Sequence, residues 1–276
     1  MDIYARLGMV GCAFSTDVVH IAWDRCPAAK SNFYSGKEGH PTVAYEVAVS
    51  HRKEVFASTP GHPGARNDKT IVRYDAFIQD IRQGRLWNNV SYRLPRPGGS
   101  FETLGNVWGL VDGGYHKWKE LISTDRLAAG EKEVRFTKAI ERIRKDVECV
   151  FGIIKRRHWI LRNKVNVETQ NLVDDIFLSC IMLHNICLKD EGWLERSDDE
   201  TFWSQVSPDK YIDIEEPEDE PPGGNEVDPT YIGAQNTQGP EVTLVEERDD
   251  DYKEFRDKLI DAYDILFKQN QISWLH

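Results

Sequence analysis

Between Glu133 and Leu161 the chain carries an apolar stripe on a heavily charged background, and the rest of the sequence is organised around it. At about 100° per residue, Ile140, Ile143, Val147, Val150, Phe151 and Ile154 fall on one face of a helix, which is a core face. Arg144, Glu148 and Lys155 share an arc of about 40° on the flank of that face, half in and half out. A carboxylate placed there can meet something held against the edge of the core.

With 276 residues, 40% hydrophobic and 29% charged, the chain can bury one core of ordinary domain size with appendages. It holds no run of about 18 or more apolar residues and opens on no charged-then-apolar leader, so it reads as soluble and intracellular with no membrane partner. Cys12, Cys26, Cys149, Cys180 and Cys187 form no C-x-x-C pair and no zinc-like spacing with histidine; they read as reduced, mostly buried thiols. The net charge of −11 is concentrated in one place: residues 196–251 hold 18 acidic side chains against three basic ones, and the remainder hold 28 against 32. Residues 193–249 therefore read as a disordered acidic linker, serving as a solvated spacer or an interaction tail.

Taken in order, residues 1–10 are a short N-terminal lead, and a buried strand follows around Val18, Val19, His20 and Ile21 with Asp17 at its start. Residues 26–40 read as a loop. Thr42 to Ser50 and Glu54 to Thr59 read as second and third strands, and Asn67-Asp68 as the cap of an amphipathic helix running to Gly84. Beyond a Pro/Gly-rich excursion over residues 95–99, Val107 to Val111 reads as a central strand that stops at Asp112-Gly113-Gly114-Tyr115. The organising helix comes next, then a deeply buried helix over residues 168–188. Residues 250–276 end the chain in an amphipathic helix, N-capped by Asp250 or Asp251, that either folds back on the core or binds a partner.

Three acids on three different elements are the chemical candidates: Asp17 near a strand, Asp112 at a strand end and Glu148 on a helix flank. Aspartates on adjacent strands, about 4.8 Å apart, can share one cation. Carboxylates gathered at a core edge repel and take up protons unless a cation neutralises them. Such hard oxygen ligands suit Mg²⁺ or Mn²⁺, and two such ions about 4 Å apart can support an in-line phosphodiester displacement. Spacing alone does not separate this from ordinary strand-end caps and turns.

The text around the acids is more specific. Ser15-Thr16-Asp17-Val18-Val19-His20 is followed by Trp23 and Cys26-Pro27, by Gly36-Lys37-Glu38-Gly39 with Pro41-Thr42, and by Pro63-Gly64 with Asn67-Asp68. Then come Leu110-Val111-Asp112-Gly113-Gly114-Tyr115 with Lys117-Trp118, Arg144-Lys145-Asp146-Val147-Glu148 with Phe151-Gly152, and Met182-Leu183-His184-Asn185. In this order over residues 9–190 they resemble the PIF/Harbinger transposases and the Harbinger transposase-derived nucleases, in particular their plant-transposon-protein branch. That resemblance implies an α/β fold, an RNase H-like mixed sheet flanked by helices over residues 11–192, carrying a DDE triad of Asp17, Asp112 and Glu148 as catalytic metal ligands. Arg144, Glu148 and Lys155 are similar to the R-x3-E-x6-K part of a signature shared with bacterial insertion-sequence transposases. Members of the family usually carry an N-terminal helix-turn-helix-like region, so the chain resembles an N-terminally truncated member. It also has Phe14 where a glycine is common and Glu141 where the longer signature has tyrosine.

The resemblance implies a Mg²⁺- or Mn²⁺-dependent DNA endonuclease or transposase domain acting in the nucleus, with DNA and a Myb-like helper protein as partners and homo-oligomerisation open. The alternative is a catalytically inactive, domesticated protein that binds DNA or other proteins. Arg144, Lys155, Arg156 and Arg157 are candidate phosphate contacts, with Lys145, Arg162 and Lys164 adding non-specific affinity; a solvated helix face explains the same residues. His20 and Asp68 are secondary metal-site candidates, read otherwise as a core histidine and a helix cap. Trp23, Trp118 and Trp159 are either buried aromatics or base-stacking platforms, and Gly152 is either a point of close approach or a tolerated helix glycine.

Overall fold

The computed structural model describes residues 1–192 and 249–272; the acidic linker read from the sequence lies outside them. Eleven residues, Cys12–Ala22, form the central strand β1, preceded by the short helix α1 (Asp2–Arg6). On one side β1 pairs antiparallel with β2 (Thr42–Val49), which carries β3 (Val55–Ser58) and the two-residue β4 (His62–Pro63). On the other side β1 pairs in parallel with β7 (Trp108–Val111), and β7 in turn with β8 (Leu121–Ser123). The result is a six-stranded mixed sheet of order β3-β2-β1-β7-β8 flanked by helices, an RNase H-like arrangement.

Both faces of the sheet are covered, which is why β2 is buried at every position. The odd residues of the β1–β2 pair, Val19, Ile21, Val43, Tyr45 and Val47, pack under Val147, Val150 and Ile154 of α5 (Glu131–Arg157) and Val173, Phe177 and Ile181 of α7 (Gln170–Asp190). Phe14 and Ala48 face the other way, against Val72 of α3 (Asp68–Val72) and Ile78 and Ile81 of α4 (Ala76–Arg82). A third cluster joins Trp108, Leu110 and Ile122 to Phe136 and Ile140 of α5 and to Leu259, Ile260 and Tyr263 of the last helix, α8 (Asp249–Lys268). The last helix thus folds back on the core.

Several boundaries differ from the sequence reading, each for a local reason. The helix expected from Asn67 to Gly84 is two: Asp75 adopts an extended backbone and its carboxylate accepts from Phe77 N and Ile78 N, opening α4 anew. Ser31–Tyr34 forms a short helix, α2, within the expected loop. The Pro/Gly-rich excursion is the turn of a separate hairpin, β5 (Ser91–Pro95) with β6 (Phe101–Gly105). The organising helix starts where Glu133 reaches back to the N–H groups of Ala129 and Gly130, and it breaks at the extended His158 before α6 (Trp159–Arg162). Asp250 and Asp251 lie inside α8 rather than capping it.

One correction concerns α7. It was expected to be deeply buried, yet Leu172, Leu178, Met182, Leu183 and Ile186 are exposed, because only one side of the helix meets the sheet. By length and composition it is also apolar enough to cross a membrane, although its inner face is taken up by the core.

Motif residues explain how the layers are fastened. Asn185 on α7 clamps the backbone of Val55, accepting from its N–H at 3.0 Å and donating to its carbonyl at 2.9 Å, and His184 lies 2.8 Å from the carbonyl of Lys53. Gly36 and Gly64 close on each other: a Cβ on Gly36 would overlap the Gly64 carbonyl, and one on Gly64 would overlap the Thr42 hydroxyl. This contact seats Gly36 against Gly64 and Ala65, next to the start of β2.

Candidate active site

Strand β7 is short, and its length opens the site. Its parallel register pairs Ser15 with Leu110, so Asp17 and Asp112 stand two residues further along neighbouring strands, Asp112 one residue past the end of β7. Side-chain alternation turns both toward α5. That helix crosses above them with its apolar stripe between two polar flanks. On one flank Arg144 donates to Asp17 Oδ2 at 2.9 Å and, one turn along, to Glu148 Oε1 at 2.7 Å. On the other, Asp146 meets His51 Nδ1 at 2.5 Å and the Lys53 ammonium, both in the β2–β3 hairpin. The helix is thus tied to the sheet on both sides, which fixes its rotation.

The electrostatics follow from crowding acids at a core edge. Burial pushes the Asp17 carboxyl up to about 6, against the Arg144 charge and a bond from Val18 N–H, and Asp68 and Glu148 push it the same way. Burial also opposes the charge on Arg144, yet Asp17, Glu148 and Asp112 together raise its pKa. Asn67, not Asp68, is the side-chain cap of α3, accepting from Thr70 N at 2.8 Å. Asp68 is therefore not occupied in capping; burial raises its pKa, Lys37 opposes this, and Asp112 adds to it. Asp17, Asp112 and Glu148 thus share one electrostatic neighbourhood around Arg144, and Asp68 joins it through Asp17 and Asp112.

Other candidates are placed elsewhere. His20 lies on the opposite face of β1 from Asp17, 3.0 Å from Thr42 Oγ1, and burial lowers it to about 4, so the ring is neutral at neutral pH. Lys155 is half-buried, with its pKa lowered by burial and supported by Glu38. Arg157 is committed to Glu191 at 2.5 Å, while Lys145, Arg156, Arg162 and Lys164 are exposed. Trp23 and Trp118 are buried, Trp23 donating to Val167 O at 2.7 Å, whereas Trp159 is 71% exposed. Nothing approaches Gly152, which is a tolerated helix glycine.

Glu46 and Lys37 escaped the sequence reading as site residues. Lys37 lies in the Gly36-Lys37-Glu38-Gly39 motif, where its charge beside Glu38 was the available signal. Glu46 interrupts the apolar run of β2 and is fully buried beneath the site, accepting from Thr16 Oγ1 at 3.2 Å, with its second oxygen unpartnered among the described residues. Burial raises its pKa well above 4.5, and the charges of Asp75, Asp68 and Asp17 add to this, while the bond from Thr16 opposes it, so the site favours the protonated carboxyl. A carboxyl whose folded pKa is raised loses stability as pH climbs from its unfolded value toward the folded one. Glu46→Gln should change stability by less than about 1 kcal/mol at pH 5 and gain on wild type by pH 8. Urea unfolding at the two pH values checks this; a deficit that does not narrow with pH would mean that Glu46 is ionised.

Hard carboxylate oxygens, with no thiol or imidazole among them, fit Mg²⁺ or Mn²⁺ rather than a softer ion. The demand for positive charge is met by the Arg144 guanidinium, which occupies the position a cation would neutralise. As they stand, no three His, Cys, Asp or Glu side chains among the described residues are grouped to hold a metal ion. Binding one would require Arg144 to yield at least one of its two carboxylates.

A family model described as plant transposon protein matches residues 1–195, which takes in the whole sheet, α5 and α7. No curated protein matches the chain, and no solved structure does. The match covers well over half of the 276 residues, and the chain belongs to the plant transposon protein family.

Proposed function

We propose that the chain is a divalent-metal-dependent DNA endonuclease of the Harbinger class of transposases, with Asp17, Asp112 and Glu148 as its DDE set. The observation that carries this reading is the convergence of three acids from β1, the end of β7 and α5 on one guanidinium. Asp17, Asp112 and Glu148 would hold Mg²⁺ or Mn²⁺, with Asp68 in reach of the same field. Such an ion supplies an activated water or 3′ hydroxyl and a counter-charge for the leaving oxygen of a phosphodiester. Arg144 keeps Asp17 ionised against its burial, and a DNA phosphate that draws Arg144 away frees both carboxylates. The exposed Lys145, Arg156, Arg162 and Lys164 add backbone affinity, and Lys155 flanks the site. DNA is the partner on this reading, a Myb-like helper supplies end recognition, and the nucleus is the compartment.

One observation favours a second reading, a catalytically idle DNA- or protein-binding protein: Arg144 engages two of the three acids at once. Incubating the purified protein with supercoiled and linear DNA in Mn²⁺, Mg²⁺ or EDTA separates the two. Nicking that requires metal is the expected result. Folded protein that binds DNA and leaves it intact in every buffer overturns the nuclease reading in favour of the idle one.

A further inference from the structure

Helix α7 spends one face on the core, and among the described residues nothing covers the opposite one. Val173, Phe177, Cys180, Ile181, His184 and Leu188 are buried, whereas Leu178, Met182 and Ile186 are 42%, 65% and 59% exposed. Taking Met182 as the centre, Leu178 and Ile186 lie about 40° to either side and the exposed Asp175 and Lys189 about 20°. Their spacing is a palindrome: Asp175, Leu178, Met182, Ile186 and Lys189 are separated by three, four, four and three residues. Steps of three and four keep these side chains on one stripe along the helix, where they can pack against a second helix. A seam that reads the same in both directions, with an acid at one end and a base at the other, is complementary to itself turned end for end.

We propose that this face of α7 is a homodimer interface, in which α7 crosses the α7 of a second copy antiparallel, on a two-fold axis through Met182. In that arrangement Leu178 meets Ile186 of the other copy, Asp175 meets Lys189, and each contact occurs twice. Charge selects the orientation: a parallel pair would set Asp175 against Asp175 and Lys189 against Lys189. It also selects the occupant, because lipid would take up the three apolar side chains but leave a carboxylate and an ammonium at the ends of the stripe without partners. Ser179, about 60° from the centre, is small enough to let the helices approach.

The test is sedimentation of the full chain over a range of concentrations, in buffer and with phosphatidylcholine/phosphatidylserine vesicles. Wild type should pass from monomer to dimer. Met182→Glu places two like charges together on the axis and should be monomeric at every concentration with an unchanged circular dichroism spectrum, since Met182 is exposed. Asp175→Lys should raise the dimer dissociation constant about tenfold by turning two attractive pairs repulsive, and Asp175→Lys/Lys189→Asp should restore it. Met182→Cys should cross-link to its copy under mild oxidation, whereas Leu178→Cys should not. A monomeric wild type, a dimer indifferent to Met182→Glu, a double charge reversal that fails to rescue, or vesicle binding lost in Met182→Glu would each overturn the proposal.

Discussion

Asp146→Ala should lower the unfolding free energy by about 3–5 kcal/mol, the range found when one partner of a buried ion pair is removed. The Asp146 carboxylate is 9% exposed and engages both His51 and the Lys53 ammonium, itself 8% exposed. Removing it leaves the ammonium in the core without the carboxylate that justifies its burial. For a domain of this size, a loss of that order lowers Tm by about 10 °C. Burial works to raise the Asp146 pKa, but Lys53 and His51 prevail and hold it below the ordinary value of 3.8. The stability it confers is therefore present above the unfolded pKa and lost as pH falls through the folded one. The variant should accordingly show a shallower loss of stability below pH 4 than wild type. Lys53→Met/Asp146→Leu should recover most of the deficit, because apolar replacement of both partners removes the desolvation penalty together with the attraction. Thermal and urea unfolding check all three statements; a single variant within 1 kcal/mol of wild type would show that the network is not an energetic tie.

What was legible in the sequence follows from which signals are local. Periodicity gave β2, α5 and α7 to within a few residues, since each is long and fully patterned, whereas β1, read with Asp17 at its start, begins at Cys12 and holds Asp17 in its middle. It did not reveal that α7 is bare on one side: Leu172 and Leu183 have the same hydropathy as Phe177, and only the position of the sheet decides which of them is covered. The split between α3 and α4 hinged on Asp75, whose capping role resembles that of any acid in a polar stretch until its bonds to Phe77 N and Ile78 N are seen. The three acids could be named from the text around them, and their approach follows from β7 ending at Val111. The two hydrogen bonds that Arg144 donates, to Asp17 and Glu148, could not be anticipated, because wheel geometry places it near Glu148 but is silent about Asp17, 127 residues away. Glu46 was invisible for the opposite reason: one acid in an apolar strand carries no motif, and its burial beneath the site depends on β1 and β2 pairing in the observed register.

On the nuclease reading, Asp112→Asn should reduce metal-dependent cleavage on the order of a thousandfold or more, the scale of loss when one member of a cooperating catalytic set is removed. Stability should change by less than about 0.5 kcal/mol, because the residue follows the end of β7, is not buried, and asparagine preserves its shape. A second readout does not depend on activity. Asp112 helps to raise the Asp68 carboxyl, so the neutral side chain should let that pKa fall, a shift visible by carboxyl NMR titration in the absence of metal. The same substitution withdraws one of the three carboxylates that support the charge of Arg144, leaving the two to which it is directly bonded. Three combinations are informative. Loss of cleavage together with the fall at Asp68 supports a shared site containing Asp112. Cleavage that survives the substitution removes Asp112 from the reaction, and with it the DDE assignment, whatever the titration gives. Loss of cleavage with an unmoved Asp68 would place Asp112 in the reaction but separate Asp68 from it, returning Asp68 to the start of α3 as an ordinary first-turn acid favoured by the helix dipole.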